Sequence, residues 1–208
     1  HSRILGEFFL KKTRTKLRVG YDVLKNYTYF GIQNDRIQSG DNYLVQHNNL
    51  NVRQSNSPIN LLTLQLQQDF RLGILNWQNV LTFQKSSKED ILPVPTFNAY
   101  SNLFIRFKIA RVLDVDLGVD GRYFTSYYAP EYIPGIGAFG IQETDASRTK
   151  IGNYPHLNAY ANFQLQHTRF FIMFTHVNSG AGGKYFYTPH YPLNQRVLQF
   201  GISWNFFN

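Results

Sequence analysis

The 208-residue chain is long enough for one domain with a sizeable core. Its 43% hydrophobic and 16% aromatic residues include no apolar run near the roughly 20 residues that a membrane helix needs. The formal charge of +8, from 21 Lys and Arg against 13 Asp and Glu, is scattered through turns and alternating positions, which argues against nucleic acid as a partner.

Fourteen Tyr and eighteen Phe, beside one Met and no Cys, suit pleated strands better than helices and leave no disulfide to rely on. The chain opens at His1-Ser2-Arg3 without an initiator Met or a signal peptide, so it reads as processed or incomplete. In chain order, the breaks predict nine strands at about 3–10, 15–32, 58–70, 74–85, 97–109, 113–127, 155–166, 169–178 and 194–207.

Alternation is clearest from the third of these strands onward. Leu62, Leu64, Leu66, Gln68, Phe70 and Leu72 alternate with Thr63, Gln65, Gln67, Asp69 and Arg71, so one face is greasy and the other wet. Leu113, Val115, Leu117, Val119 and Tyr123 alternate with Asp114, Asp116, Asp120 and Arg122. Leu157, Ala159, Ala161, Phe163 and Leu165 alternate with Asn158, Tyr160, Asn162, Gln164 and Gln166. Leu198, Phe200, Ile202, Trp204 and Phe206 close the chain against Gln199, Ser203 and Asn205.

Several of these segments exceed the usual five or six residues and match the 9 to 11 that a tilted membrane strand needs. Aromatics such as Tyr123, Tyr127, Tyr128, Trp204 and Phe207 gather near strand ends, as interfacial girdles do. The expected fold is therefore all-β: an antiparallel transmembrane β-barrel, with residues 1–208 providing about nine strands as the C-terminal part of a larger barrel.

Connections alternate in length, as they do in membrane barrels. Tight ones fall near Lys11 to Arg14, at Leu72-Gly73, at Ala110 to Val112 and at His167-Thr168; long ones fall near 34–57, 86–95, 128–153 and 179–193. A bacterial single-chain barrel starts in the periplasm with an even strand number, so at least one rising strand is expected upstream. The turn at His167-Thr168 predicts Leu165 opposite Phe170 and Phe163 opposite Ile172. The turn at Ala110 to Val112 predicts Lys108 opposite Asp114 and Arg106 opposite Asp116 on the polar face, which reads first as neutralisation of the lumen wall and alternatively as a charged strip that screens permeating solutes.

The stretch Asn79-Val80-Leu81-Thr82-Phe83-Gln84 with Leu92-Pro93-Val94-Pro95, then Tyr127-Tyr128-Ala129-Pro130-Glu131-Tyr132-Ile133-Pro134, resembles the putative porin family of Bacteroidota outer membranes. The segments Ile151-Gly152-Asn153-Tyr154-Pro155 and Tyr191-Pro192-Leu193, with the ending Phe200-Gly201-Ile202-Ser203-Trp204-Asn205-Phe206-Phe207, extend the resemblance over about residues 60 to 208. It implies passive transport in a bacterial outer membrane without naming a solute. The ending is also similar to a barrel-insertion signal, carried by Phe200, Ile202, Trp204, Phe206 and Phe207, although Asn208 follows the last aromatic.

Candidate lumen-lining residues are Thr63, Gln65, Gln67, Asp69, Arg106, Lys108, Asp114, Asp116, Asp120, Arg122, Asn158, Asn162 and Gln164. Tyr127, Tyr128, Pro130, Tyr132 and Pro134 form a candidate outer loop that either folds over the mouth or simply anchors the chain at the interface. Six histidines, including His47, His156, His167, His176 and His190, lack ligand spacing, so no metal and no cofactor is expected. Ser126 and His176 lack an orienting acid and a nucleophile elbow, so no enzyme activity is expected. Ser179-Gly180-Ala181-Gly182-Gly183 reads as a flexible loop, since Lys184-Tyr185 follows in place of a phosphate-loop Lys-Ser/Thr pair.

The function expected is a porin-like channel for diffusion of small hydrophilic solutes. Its alternatives are a structural or accessory barrel subunit of a larger outer-membrane complex, and a soluble closed barrel that holds a ligand. Expected partners are outer-membrane lipid and lipopolysaccharide, and other outer-membrane proteins where the barrel serves in a complex.

Overall fold

The computed structural model describes residues 1–39, 43–142, 148–182 and 185–205, with side chains described outside 33–49. In chain order the strands are β1 (Ser2–Leu10), β2 (Thr15–Leu24), β3 (Thr28–Ser39), β4 (Tyr43–Gln54) and β5 (Ile59–Leu72). Then come β6 (Leu75–Ser86), β7 (Phe97–Ile109), β8 (Leu113–Phe124), β9 (Glu131–Ile133) and β10 (Ala138–Gly140). The rest are β11 (His156–Leu165), β12 (Thr168–Thr175), β13 (Phe186–Thr188), β14 (Tyr191–Pro192) and β15 (Val197–Trp204).

Nine of these strands form one antiparallel sheet in the order β1-β2-β5-β6-β7-β8-β11-β12-β15, which are the nine long segments expected from alternation. Its two edges, β1 and β15, are not paired with each other, so the described residues make an open meander and not a closed barrel. All short turns lie at one end of the sheet and all long connections at the other, because each strand reverses direction.

The turns follow backbone chemistry. Gly73 has φ of +58°, a left-handed conformation glycine adopts without a Cβ penalty, and it opens the two-residue turn Gly73-Ile74 between Leu72 and Leu75. Ala110 and Arg111 are left-handed in the three-residue turn that sets Ile109 opposite Leu113. The expected register there holds, with Lys108 opposite Asp114 and Arg106 opposite Asp116.

Two expectations are corrected. The turn after β11 is Gln166-His167, with Gln166 left-handed, so Leu165 faces Thr168 and Phe163 faces Phe170. The slip is by two residues, which keeps every side chain on its own face and so could not be detected from alternation. The segment read as one strand over 15–32 breaks at Asn26, whose φ of +53° ends β2, and the expected loop at 34–57 contains most of the hairpin β3–β4. That hairpin's Asn-rich β4 has poor strand propensity and forms through pairing with β3.

Among the described residues no second layer covers the wall. Large apolar side chains on one face stay exposed across all nine strands: Ile4 is 75% exposed, Leu72 80% and Phe200 79%. Most of the fully covered apolar residues, Ile32, Ile59, Ala129 and Ile151, belong to the long-loop end. There Gly140 of β10 approaches β3 so closely that a Cβ would meet Ile133 at 2.7 Å and Ile32 at 3.1 Å.

On the polar face, aromatic rings cover glycines of neighbouring strands. A Cβ on Gly118 would lie 2.6 Å from the Phe104 Cβ and 2.8 Å from the Tyr160 ring. Gly118→Val should therefore overpack the wall and lower the stability of the full-length protein by about 1 to 3 kcal/mol. Urea unfolding followed by tryptophan fluorescence would measure this, and an unchanged midpoint would contradict the close packing.

Candidate functional site

The ladder of strand pairings gathers every candidate lumen-lining residue on one face. Thr63, Gln65, Gln67 and Asp69 of β5 lie opposite Gln84, Thr82, Val80 and Gln78 of β6. Arg106 and Lys108 of β7 lie opposite Asp116 and Asp114 of β8, which in turn face Asn162 and Gln164 of β11. Arg122 and Asp120 pair in register with His156 and Asn158.

Side chains on this face bond to one another across strands. Arg106 grips Asp116 through two bonds of 2.7 Å, Nε to Oδ1 and Nη2 to Oδ2, and Lys108 Nζ lies 3.2 Å from Asp114 Oδ2. With Arg106 half-exposed, such pairs contribute about 1 kcal/mol at most. Tyr160 donates its hydroxyl to Asn102 Oδ1 at 2.8 Å, and Asn102 Nδ2 donates to Gln78 Oε1 at 3.3 Å. Asn158 Nδ2 donates to the buried Asp120 at 3.0 Å. Among the described residues, Asp69 Oδ1 is the one buried side-chain oxygen or nitrogen with no hydrogen-bond partner.

The outer-loop candidates are held in place. Tyr127 and Ile151 exchange backbone bonds of 3.0 and 3.1 Å, and β9 and β10 form a small hairpin after Pro130. Burial raises the pKa of the Tyr127 phenol above its ordinary value. The Tyr128 ring carries two cations, Arg148 at 3.5 Å and Lys150 at 4.9 Å from its centroid. Buried Gln142 ties the loop shut: its Nε2 donates to Ala129 O at 2.6 Å and Thr149 O at 2.9 Å, while Thr149 N donates to its Oε1 at 2.7 Å.

This loop also meets the last one. Thr188 Oγ1 donates to Pro130 O at 2.8 Å, Tyr132 packs edge-on against Tyr191, and His190 lies 3.7 Å from Glu131. Pro134 follows Ile133 at the end of β9 and turns the chain toward β10 through a bond from Gly137 N to its carbonyl.

Beside that junction, the polar face bounds a cavity of about 450 Å³. Its floor comes from Arg122, His156, Asn158 and Gln199, and its aromatic wall from Tyr154, Tyr185 and Phe186. His176 fixes the wall. It is 1% exposed, left-handed at φ +54°, and ends β12. Its Nδ1 donates to Asn194 O at 2.6 Å and its Nε2 lies 2.8 Å from the Tyr154 hydroxyl, which also donates to Asn178 O at 3.0 Å. Its backbone N donates to Asn158 Oδ1 at 3.1 Å.

Both ring nitrogens of His176 are thus engaged with Asn194 and Tyr154, while the Ser126 backbone N donates to Asn153 Oδ1 at 3.0 Å. Among the described residues no three His, Asp or Glu side chains gather as a metal-holding group. The parts missed by sequence reasoning are Gln142, Asn178 and Tyr185, whose roles depend on partners 7 to 24 residues away in the chain or on another loop. Of the insertion ending, Phe200, Ile202 and Trp204 lie on the exposed apolar face, while Phe206 and Phe207 are outside the described residues, as are Gly183, Lys184 and the His47 side chain.

A family model described as "Putative porin" matches residues 1–208, the whole chain. No curated protein and no solved structure matches it.

Replacing Gln142 with Leu would leave two carbonyls and one amide of the loop without their partner. The Thr149 amide should then exchange with deuterium at least about tenfold faster, since each lost bond is worth about 1 kcal/mol. Mass spectrometry of the 148–155 region would read it, with the β5 and β6 amides unchanged as the internal standard.

Proposed function

The chain belongs to the Putative porin family, and from that premise we propose that it builds the wall of an outer-membrane β-barrel channel through which small hydrophilic solutes diffuse. The observation that carries this reading is the exposed apolar face shared by nine paired strands and backed by a polar face; where Thr15, Gln68, Asn79 and Ser101 cross it in register, they bond to one another or to Trp77. Water-soluble proteins rarely expose contiguous apolar patches beyond a few hundred Å². A hydrocarbon environment removes that cost, and antiparallel strands satisfy their backbone groups within it.

In this reading the apolar face meets outer-membrane lipid and lipopolysaccharide, the short turns lie in the periplasm, and the long connections lie outside. The unpaired edges of β1 and β15 pair with further strands to close the barrel, because hydrocarbon offers an edge no hydrogen bonds. Solutes then exchange part of their hydration for the polar face, where Arg106, Lys108, Asp114 and Asp116 nearly neutralise one another. No step is catalytic.

A second reading is favoured by one observation, the interlocking of the loops at the long-loop end through Thr188, Pro130, Tyr132 and Tyr191. Loops tied to one another in this way suit a structural or accessory barrel in a larger outer-membrane complex, with no transport of its own.

Single-channel recording of the full-length protein in planar bilayers separates the two. The channel reading expects discrete conductance steps, and an inserted but silent barrel would sink it in favour of the accessory one. Given conductance, Arg106→Glu places three carboxylates together on the wall and should move the reversal potential in a KCl gradient toward cation selectivity.

A further inference from the structure

We propose that the cavity at the long-loop end of the polar face binds an acidic saccharide, a mono- or disaccharide bearing a carboxylate. This rests on the channel reading for the route by which the sugar arrives, and on the cavity's own chemistry for its identity. At about 450 Å³ the space falls within the roughly 300 to 1,000 Å³ of small-molecule sites.

Its lining combines two kinds of surface that a pyranose ring needs together. The face of such a ring presents C–H groups, which pack on aromatic rings, and its edge presents hydroxyls, which pair with planar amides. Tyr154, Tyr185 and Phe186 provide the first surface, and Asn194, Gln195 and Gln199 the second. An apolar guest would strand those amides, and a bare phosphate would leave the rings unused.

Charge narrows the class. Arg122 lines the cavity, is exposed, and among the described residues forms no salt bridge; its guanidinium rests 5.6 Å from the centre of the Tyr100 ring. No Asp or Glu lines the space. Asp120, two residues along the same face, is buried and takes a bond from Asn158 Nδ2, so the exposed guanidinium is left to hold a carboxylate on the guest through two parallel bonds.

The walls are already set. Tyr154 is held by His176 and Asn178, and Tyr185 packs 4.9 Å from Tyr154 and 4.8 Å from His176, ring centre to ring centre. Rings fixed in advance lose little freedom when a guest arrives, which favours binding of a small polar molecule.

The test is titration calorimetry of the full-length protein in detergent micelles with galacturonate, galactose and inorganic phosphate, beside current block by the same probes in bilayers. Galacturonate should bind at least about tenfold more tightly than galactose, the worth of a charge-assisted pair. Arg122→Gln should abolish that preference while leaving galactose binding in place, Arg122→Lys should retain part of it, and Tyr185→Ala should weaken both sugars. Equal affinity for the two sugars, tighter binding of phosphate, or no binding of galacturonate would each overturn the proposal. Galacturonate binding to a protein that forms no conducting channel would overturn the diffusion reading and leave the site standing; open channels that bind no galacturonate would do the reverse.

Discussion

The hydrogen-bond ladder between neighbouring strands holds the molecule together, because none of the described residues packs on the apolar face of the sheet as a second layer. In most domains a sheet hides one face against helices or another sheet and gains its stability from that burial. Here the apolar face from Ile4 to Phe200 is left open, and the paired backbones of nine strands must set the order. Register then has an unusual weight: a slip of one residue would exchange the greasy and wet faces of a whole strand.

The polar face turns this constraint to use. Because each strand is held in register, side chains far apart in the chain arrive beside one another: Gln78, Asn102 and Tyr160 in one chain of bonds, Asp120, Asn158 and the backbone of His176 in another. Glycines under Phe171 and Tyr160 let large rings lie flat on this face without pushing strands apart. At the long-loop end the same logic passes to loops, where Gln142 and His176 replace the ladder as the organising contacts.

Much of this was legible in the residues. Alternation from Leu62 to Leu72 and from Leu113 to Tyr123 placed each polar candidate on its face, since period two has one structural meaning. The pairing of Arg106 with Asp116 was legible because turn length and charge agreed. The turn at Gln166-His167 was not, because a two-residue slip conserves both faces and leaves hydrophobicity silent. Hairpin β3–β4 was hidden by its polar, Asn-rich sequence, and Gln142 by being a lone amide whose three partners only a folded loop supplies.

The division into a short-turn end and a long-loop end sets different rules for sequence drift along one molecule. A two-residue turn such as Gly73-Ile74 fixes the register of the strands on either side, so an added residue there would disturb the whole wall. Long connections tolerate growth far better, since doubling a flexible loop costs only about 0.6 kcal/mol in closure entropy. Between these extremes lie the two interlocked loops, which must change in concert because Thr188 and Pro130, or Tyr132 and Tyr191, belong to different segments. The connection between β6 and β7 is likewise tied to the one before it, Ser87 pairing with Asn60 and Lys88 Nζ donating to the buried Ser55 hydroxyl at 3.0 Å, so a change in either is felt by the other.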